Sequence, residues 1–156
     1  LLAGMLSSAT LINRFFPTGQ VYKEFYKSSE NLFDLLQFPD IWTLGYFKWE
    51  LEFLETLGFG LDLEKCAVTG STEDLKFISP KSGRAVSEAA AGDWSSKLLP
   101  FPIAASGQVN SLEDILDGLK VSQFFLEKKV LVAFGMEHLP SARSRFISSL
   151  ERKIKN

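Results

Sequence analysis

The side chains best suited to nucleophilic or metal chemistry are one cysteine and one histidine, the only residues of each type in the chain. A catalytic Cys–His pair needs the thiol and the imidazole within hydrogen-bonding reach, and it needs a thiol with a lowered pKa. Cys66 and His138 lie far apart in the sequence, and neither is part of a pattern typical of a nucleophile. A hydrolase or transferase that uses Cys66 is therefore an alternative hypothesis, and it is not the favoured one.

The segment around Cys66 has the outline of a zinc knuckle. In "GLDLEKCAVTGSTEDLKFISPKSGRAVS", residues 60–87, the cysteine precedes a Gly-containing turn, a short strand, a second turn and a second strand. A structural zinc needs four nitrogen or sulfur ligands, usually supplied as two Cys-x-x-Cys pairs. The partner position in the first pair holds Thr69, and the second turn contains no cysteine or histidine. We therefore predict no metal and no cofactor.

A single arginine interrupts the apolar stripe of the last predicted helix. Arg143 falls among residues that recur at helical spacing, namely Leu139, Phe146, Ile147, Leu150 and Ile154. An arginine on a core-facing stripe is unfavourable unless it is paired or reaches the surface. Two alternatives stay open, an ion pair with a buried Glu or Asp and an arginine that faces a partner across a groove.

The opposite face of the same helix is basic. Arg145 and Arg152 are seven positions apart, and Lys153 and Lys155 follow them. Such a cluster suits phosphates, although a merely solvated face is the more frequent explanation of such a pattern. The net charge is −2, so any contact with nucleic acid must come from a local basic patch of this kind. Lys81 and Arg84, on the turn of the predicted hairpin, would extend the patch.

Apolar periodicity predicts a mainly α fold, a helical bundle with a small inserted β-hairpin. Helices are predicted over 1–16, over 20–37, and from Ile41 to Leu57 with Asp40 as the cap and Gly58 as the stop. The third helix is apolar on two opposite faces, which is typical of a helix buried at the centre of a bundle. One face holds Trp42, Tyr46, Trp49 and Phe53, and the other holds Leu44, Phe47, Leu51 and Leu54.

The second half of the chain is predicted to contain the hairpin and more helices. "LKFIS" and "GRAVS" are the two strands of an insertion over 60–88, followed by a weakly helical stretch over 87–97 and the extended connector "LLPFPIAASG". Ser111 and Asp114 predict a helix start, "VSQFFLEKKVLVAFG" is predicted as a separate helix, and the last helix runs from Pro140 to about Lys155. With 156 residues, 46% of them apolar, we expect one domain over 1–156. The first residue is Leu1 and not Met, so we expect a piece of a longer protein.

The stretch "KWELEFLETLGFGLDLEKCAVTGSTEDLKFISPKSGRAVSEAA", residues 48–90, resembles the C-terminal part of bacterial RecO, a family of DNA-repair recombination mediators. In that family an aromatic-Glu-Leu helix enters a Leu-Gly-aromatic-Gly turn, and a zinc knuckle follows in many members. The resemblance matches Cys66 to the first ligand and puts Thr69, Val86 and Ala89 at the other three positions, while Ser82-Gly83 keep the turn. It implies a branch without zinc, in which apolar contacts among Val68, Phe77, Ile78 and Val86 replace the metal.

The resemblance also implies partners. Members of the family bind the acidic C-terminal tail of single-stranded-DNA-binding protein, the protein RecR and single-stranded DNA, and they help a recombinase to load and strands to anneal. For the tail it implies a pocket with an apolar wall and a cation at its rim, formed by Phe47, Lys48, Leu51 and Arg143. It also favours contact with DNA by the basic residues Lys81, Arg84, Arg145, Arg152, Lys153 and Lys155.

Several expectations follow from this resemblance. The family's N-terminal oligonucleotide-binding barrel is absent from this chain, no bond is made or broken, and no membrane is involved. The expected location is the cytoplasm, in association with the nucleoid. Two alternatives remain, namely that Lys48 is a solvated flank residue and that the domain is structural and has no ligand.

Overall fold

The computed structural model describes residues 1–108 and 111–156, and it confirms a mainly helical fold with a small sheet. The helices are α1 (Leu2–Phe15), α2 (Lys23–Asp34), α3 (Pro39–Thr56), α4 (Glu88–Ala91), α5 (Leu112–Phe125), α6 (Leu131–Phe134) and α7 (Ser141–Lys155). The strands are β1 (Leu75–Ile78), β2 (Ala85–Ser87) and β3 (Leu99–Pro100). Short 3-10 turns cover Leu35–Gln37, Gly92–Lys97 and Ile103–Ser106. Within the described part of the chain, no helix is long and apolar enough to cross a membrane.

Helix α3 lies at the centre of the bundle, as its two apolar faces predict. It packs against α1, α2 and α5, and its buried side chains include Trp42, Tyr46, Trp49 and Phe53. Aromatic rings surround them, and those of Trp49 and Phe53 lie 5.6 Å apart. Burying each large apolar side chain contributes about 1.5–3 kcal/mol, so α3 supplies much of the stability of the core.

The start of α3 differs from the prediction. Asp40 does not cap the helix, because Phe38 occupies the N-cap and Pro39 is the first helical residue. Proline suits that position, since its missing N–H would have no partner in the first turn. Asp40 lies within the first turn, where its negative charge favours the helix dipole.

The predicted hairpin is present, and a third strand joins it. β1 pairs antiparallel with β2, placing Phe77 opposite Val86, and on its other edge it pairs antiparallel with β3. Part of the predicted extended connector is therefore an edge strand. Pro100 is tolerated there because an edge position does not require its missing N–H for the ladder.

The two helices predicted between Ser111 and Gly135 form one continuous helical run. It begins with the predicted capping box, in which Asp114 N donates to Ser111 Oγ at 3.2 Å and Ser111 N donates to Asp114 Oδ2 at 3.0 Å. α5 then passes through a π-helical turn, Leu126–Val130, into α6. The prediction of a break was wrong because the run contains no proline, and its one internal glycine, Gly118, is accommodated within α5.

Candidate functional site

Arg143 of α7 forms a buried ion pair with Glu50 of α3. Its Nη2 lies 2.7 Å from Glu50 Oε1 and its Nε lies 2.9 Å from Glu50 Oε2, so the contact is bidentate. Only 1% of Arg143 and none of Glu50 is exposed. Burial lowers the pKa of Arg143, but the charge and hydrogen bonds of Glu50 outweigh it and raise that pKa above its usual value.

Further hydrogen bonds complete the ion pair and tie four helices together. Arg143 also donates to Leu119 O and to Gln123 Oε1, each at 3.0 Å. Glu50 accepts from Tyr46 Oη at 3.0 Å and from the Ser122 hydroxyl, and Tyr46 Oη contacts Ser7 Oγ at 2.7 Å. Burial, followed by the charge of Glu50, raises the pKa of Tyr46 well above its usual range. Among the described residues, no buried side-chain polar atom lacks a hydrogen-bond partner.

These contacts bury some of the residues predicted to bind the protein tail and leave others exposed. Of the two alternatives for Arg143, the structure has the ion pair, so its guanidinium is not free to face a partner. Phe47 is fully buried and contacts α5 at Gly118, where an added Cβ would lie 2.8 Å from its ring. Leu51 is half-buried, and Lys48 is exposed but lines none of the described cavities. Phe47 therefore belongs to the interior. Arg143 is almost fully buried in its ion pair, although it also lines a separate open cavity of about 530 Å³ that neither Phe47 nor Lys48 lines.

An open groove lies between α1 and α7, and we call it the α1–α7 groove. Its volume is about 560 Å³, and it is lined by Leu2, Ala3, Leu6, Ala142, Ser144, Arg145, Ser148, Ser149 and Arg152. Leu2 is 69% exposed and Leu6 is 48% exposed, so the floor of the groove is accessible apolar surface. Two of the predicted DNA-binding arginines, Arg145 and Arg152, stand at its rim. The leucines were missed in the sequence because helical periodicity alone marks them as core.

Among the described residues, no carboxylate lies within ion-pairing distance of the α7 cations from Arg145 to Lys155. Arg145 donates to Ser141 Oγ at 3.0 Å, which leaves its charge unneutralised. In the described part of the chain, the ion pairs within 4.0 Å join Arg84 to Asp62, Lys120 to Asp117 and Arg143 to Glu50, and His138 Nε2 lies 3.9 Å from Glu137 Oε2. Arg152, Lys153 and Lys155 are exposed, so this end of α7 presents a positive surface.

The two predicted cations of the hairpin turn have different surroundings. Lys81 is exposed, and the Lys129 ammonium donates to its carbonyl oxygen at 3.3 Å. Arg84 Nε lies 3.8 Å from Asp62 Oδ2, so part of its charge is compensated. Sequence patterns did not single out Lys129, because its position beside the turn depends on how α5 packs against the hairpin.

Cys66 lies inside the knuckle, in a small apolar cluster with Val86 and Ala91. Leu75, Phe77, Ala90 and Leu98 pack around the cluster. The prediction that Val68 and Ile78 pack inside the knuckle was wrong, since Val68 is 72% exposed and Ile78 belongs to the main core. Val68 follows Cys66 on the outside of the knuckle loop, whereas Leu98, next to β3, closes the cluster.

The knuckle has no ligand set for a metal. Of the positions matched to the other three ligands, Thr69 and Ala89 are exposed and Val86 is buried. Among the described residues, no group of three or more His, Cys, Asp or Glu side chains is arranged to hold a metal ion. The frame of the knuckle is therefore held by backbone hydrogen bonds and by the cluster around Cys66. Examples are Cys66 N to Ser71 O at 2.7 Å and Ala67 N to Ala85 O at 2.8 Å.

The thiol of Cys66 has a lowered pKa. Burial raises that pKa, but hydrogen bonds from Thr69 and Ser87 outweigh it and bring it to about 6. The Ser87 N–H donates to Cys66 Sγ at 3.3 Å. His138 does not take part, because its side chain is exposed and its Nε2 lies near Glu137, 3.9 Å from Oε2. The alternative of a Cys–His nucleophile therefore lacks the contact it requires.

The lowered thiol pKa predicts a pH-dependent stability. The folded-state pKa is below the usual value of 9.0, so the thiolate stabilises the fold fully above about pH 9, and this contribution disappears as pH falls towards 6. We expect the difference in unfolding free energy between the parent protein and Cys66→Ala to grow in favour of the parent as pH rises from 6 to 9. Urea denaturation at both pH values measures it. An equal difference at both would show that the folded thiol keeps its ordinary pKa.

This geometry defines a class of protein. Its members are mainly helical domains with a buried central ion pair, a knuckle without metal ligands and a basic last helix. Residues 1–135 match the family described as "Recombination protein O C terminal", and the chain belongs to that family.

Three curated relatives share the name DNA repair protein RecO. The protein of Ruegeria sp. (strain TM1040) is 46% identical over 98% of this chain and 64% of its own length. That of Jannaschia sp. (strain CCS1) is 42% identical over 98% of this chain and 62% of its own length. That of Dinoroseobacter shibae is 43% identical over 94% of this chain and 61% of its own length. The chain thus spans less than two thirds of these relatives, and no solved structure matches it.

Proposed function

We propose that this domain is a non-catalytic binding module of a DNA-repair recombination mediator. It receives the acidic tail of single-stranded-DNA-binding protein, works with RecR, and contacts single-stranded DNA so that a recombinase can load and strands can anneal. Membership of the RecO C-terminal family and the names of the relatives support the role in DNA repair. The observation that carries the binding role is the α1–α7 groove, with its apolar floor and its two uncompensated arginines.

The chemistry of the groove suits a tail that is acidic and ends in an apolar residue. Leu2 and Leu6 offer exposed apolar surface to the terminal side chain. Arg145 and Arg152 are two helical turns apart, about 10 Å along α7, so their guanidiniums can pair with the terminal carboxylate and with an acidic residue before it. A second copy of the domain fits less well, since a symmetric contact would bring the same arginines together.

The groove replaces the pocket first expected at Lys48. That pocket needs an apolar wall beside the cation, and the neighbouring Phe47 and Arg143 are both buried in the core. Lys48 by itself offers a charge and no cavity. The groove therefore supplies both the apolar surface and the cations that tail recognition needs, whereas the surface around Lys48 supplies only the cation.

The last turn of α7 is the proposed contact for DNA. Arg152, Lys153 and Lys155 are exposed, with no described carboxylate in ion-pairing distance. Each phosphate that they neutralise releases counterions, which makes DNA affinity fall as salt rises. Arg152 belongs to both surfaces, so the tail and DNA would compete for it.

Reversing the charges at the groove is expected to weaken tail binding by about tenfold. In Arg145→Glu/Arg152→Glu the tail loses two solvent-exposed charge pairs worth about 0.2–1 kcal/mol each, and a combined loss of about 1.4 kcal/mol is a factor of ten in affinity. The measurement is a titration of the domain into a fluorescent acidic peptide that ends in phenylalanine, followed by anisotropy at two salt concentrations.

Lys48→Glu/Lys27→Glu is the matched control, since it makes the same change of charge at two exposed lysines outside the groove. We expect it to weaken binding much less than the groove variant. If the control weakened binding as much as the groove variant, or more, the groove would not be the docking site.

A further inference from the structure

A second basic cavity lies between the hairpin turn and the long helical run, and we call it the turn cavity. Its volume is about 230 Å³, and it is lined by Gly58, Phe59, Gly60, Lys81, Ser82, Gly83, Phe125 and Lys129. Three separate segments meet here: the turn after α3, the hairpin turn and the end of α5. None of the residues of the α1–α7 groove or of the last turn of α7 takes part.

The turn cavity holds two lysines whose positions are coupled. The Lys129 ammonium donates one hydrogen bond to Lys81 O at 3.3 Å, which leaves its other two N–H groups available. Among the described residues, no carboxylate lies within ion-pairing distance of either lysine. Two nearby acidic residues have other partners. Asp62 pairs with Arg84 of the hairpin, and Glu127, two positions before Lys129, accepts a hydrogen bond from Gln123 at 2.9 Å.

The backbone brings these lysines together in two unusual conformations. Lys129 belongs to the π-helical turn, and such turns are rare and occur often at functional sites. Gly83 has φ +69°, and a Cβ there would lie 3.0 Å from Leu61 and 3.6 Å from Phe125. The positive φ is what requires glycine at position 83, so this residue sets the shape of the hairpin turn that carries Lys81.

The size of the turn cavity limits what can bind. Ligand pockets for whole cofactors or drug-sized molecules measure about 300–1,000 Å³, whereas one water takes about 30 Å³ of liquid. A cavity of about 230 Å³ has room for a phosphate group with several waters and not for an enclosed nucleotide. Phe59 is half-buried at its edge and offers an apolar contact to a sugar or base outside it.

We propose that the turn cavity binds one backbone phosphate of single-stranded DNA between Lys81 and Lys129. This inference rests on the proposed DNA-binding function and adds to it a second contact, on a different part of the domain. A strand is favoured over a free phosphate because Phe59, a half-buried residue of the cavity lining, can contact the sugar or base next to a bound phosphate.

Lys129→Gln tests this proposal, since it removes the charge and keeps a side chain that can still donate to Lys81 O. Losing one phosphate contact on a single strand lowers the slope of log affinity against log salt by about 0.7, or about fivefold in affinity at 0.1 M salt. The measurement is anisotropy of a labelled oligothymidine over a salt series. Lys128→Gln is the matched control, because Lys128 is on the same turn but lines a different cavity, with Glu137 and His138.

The outcomes separate this proposal from the proposed function. Equal slopes for Lys129→Gln and the parent, or equal losses for Lys129→Gln and Lys128→Gln, would overturn the turn cavity as a site. If Lys153→Gln/Lys155→Gln weakens DNA binding while Lys129→Gln does not, the second contact fails and the proposed function stands. If the parent binds no oligothymidine, both fail. Inorganic phosphate is the last probe, and displacement of the oligothymidine by micromolar phosphate would make this a free-phosphate site and overturn the assignment to a strand.

Discussion

Glu50→Ala is expected to destabilise the fold by about 3–5 kcal/mol, since it leaves the Arg143 guanidinium buried and unpaired. Both charged groups lie in the interior, and Glu50 provides two of the four acceptor contacts that hold Arg143. Domains are typically stable by about 5–15 kcal/mol, so this one substitution removes a large share of the total. Urea denaturation followed by circular dichroism gives the unfolding free energy.

Two further variants test whether the lost stability comes from the unpaired charge of Arg143. Glu55→Ala removes an exposed carboxylate from the same helix, and we expect a change within about 0.5 kcal/mol. Glu50→Leu/Arg143→Met removes both charges and should recover much of the stability, because apolar groups of similar volume often replace a buried ion pair without loss. If Glu50→Ala were as stable as Glu55→Ala, Arg143 would have to find solvent or another partner, and the buried pair would not hold the helices together.

Gly4→Ala is expected to destabilise the fold by about 1–3 kcal/mol, although glycine to alanine inside a helix normally stabilises by about 0.5–1 kcal/mol. A Cβ at Gly4 would lie 2.3 Å from Trp42 Cζ3, which is closer than these atoms can approach, and it would lie 3.0 Å from Phe146 Cε2, which is a tight contact. The Trp42 ring is fully buried and cannot move aside without disturbing the core. Thermal and urea denaturation measure the effect.

Ala9→Ser is the control for that prediction, because it also adds one heavy atom to α1 but at an exposed position. It should change the unfolding free energy by no more than about 0.5 kcal/mol. Gly4→Ala/Trp42→Phe makes room for the methyl group and should be less destabilised than the sum of its two single substitutions. A stabilised Gly4→Ala would mean that α1 sits further from α3 and α7 than the structure has it. Because Gly4 sets that spacing, the same variant also tests whether the α1–α7 groove depends on it.

Local patterns predicted most of the elements. The alternation around Phe77, the capping box at Ser111 and the two apolar faces of α3 each depend on residues close in sequence, so a period or a spacing is enough to detect them. Errors arose where two local signals compete, as at the start of α3, where proline at the first helical position and Phe38 take the place of an Asp40 cap. We predicted a break before Val121 although no proline is present there, and the helix continues through this position.

The binding roles of the candidate site residues stay predictions, and local patterns say less about the surroundings of these residues than about the elements. The basic end of α7 was found because Arg152, Lys153 and Lys155 are neighbours in the chain. Phe47 and Arg143 were placed at a pocket that needs them exposed, and the structure has both inside the core. Lys129 was missed altogether, since nothing near it in sequence indicates that it meets Lys81.

The sequence by itself determined that this is a mainly helical domain with α3 at its centre and a basic last helix. It also determined that the knuckle has cysteine at only one of the four positions that the family's zinc pattern uses. Those properties follow from residue type and short-range periodicity. Only the tertiary structure decided that Arg143 pairs with Glu50, that Leu2 and Leu6 lie open beside Arg145, and that Lys129 reaches the hairpin turn. Each of these depends on which helix packs against which, and that choice follows from the burial of the whole apolar surface at once.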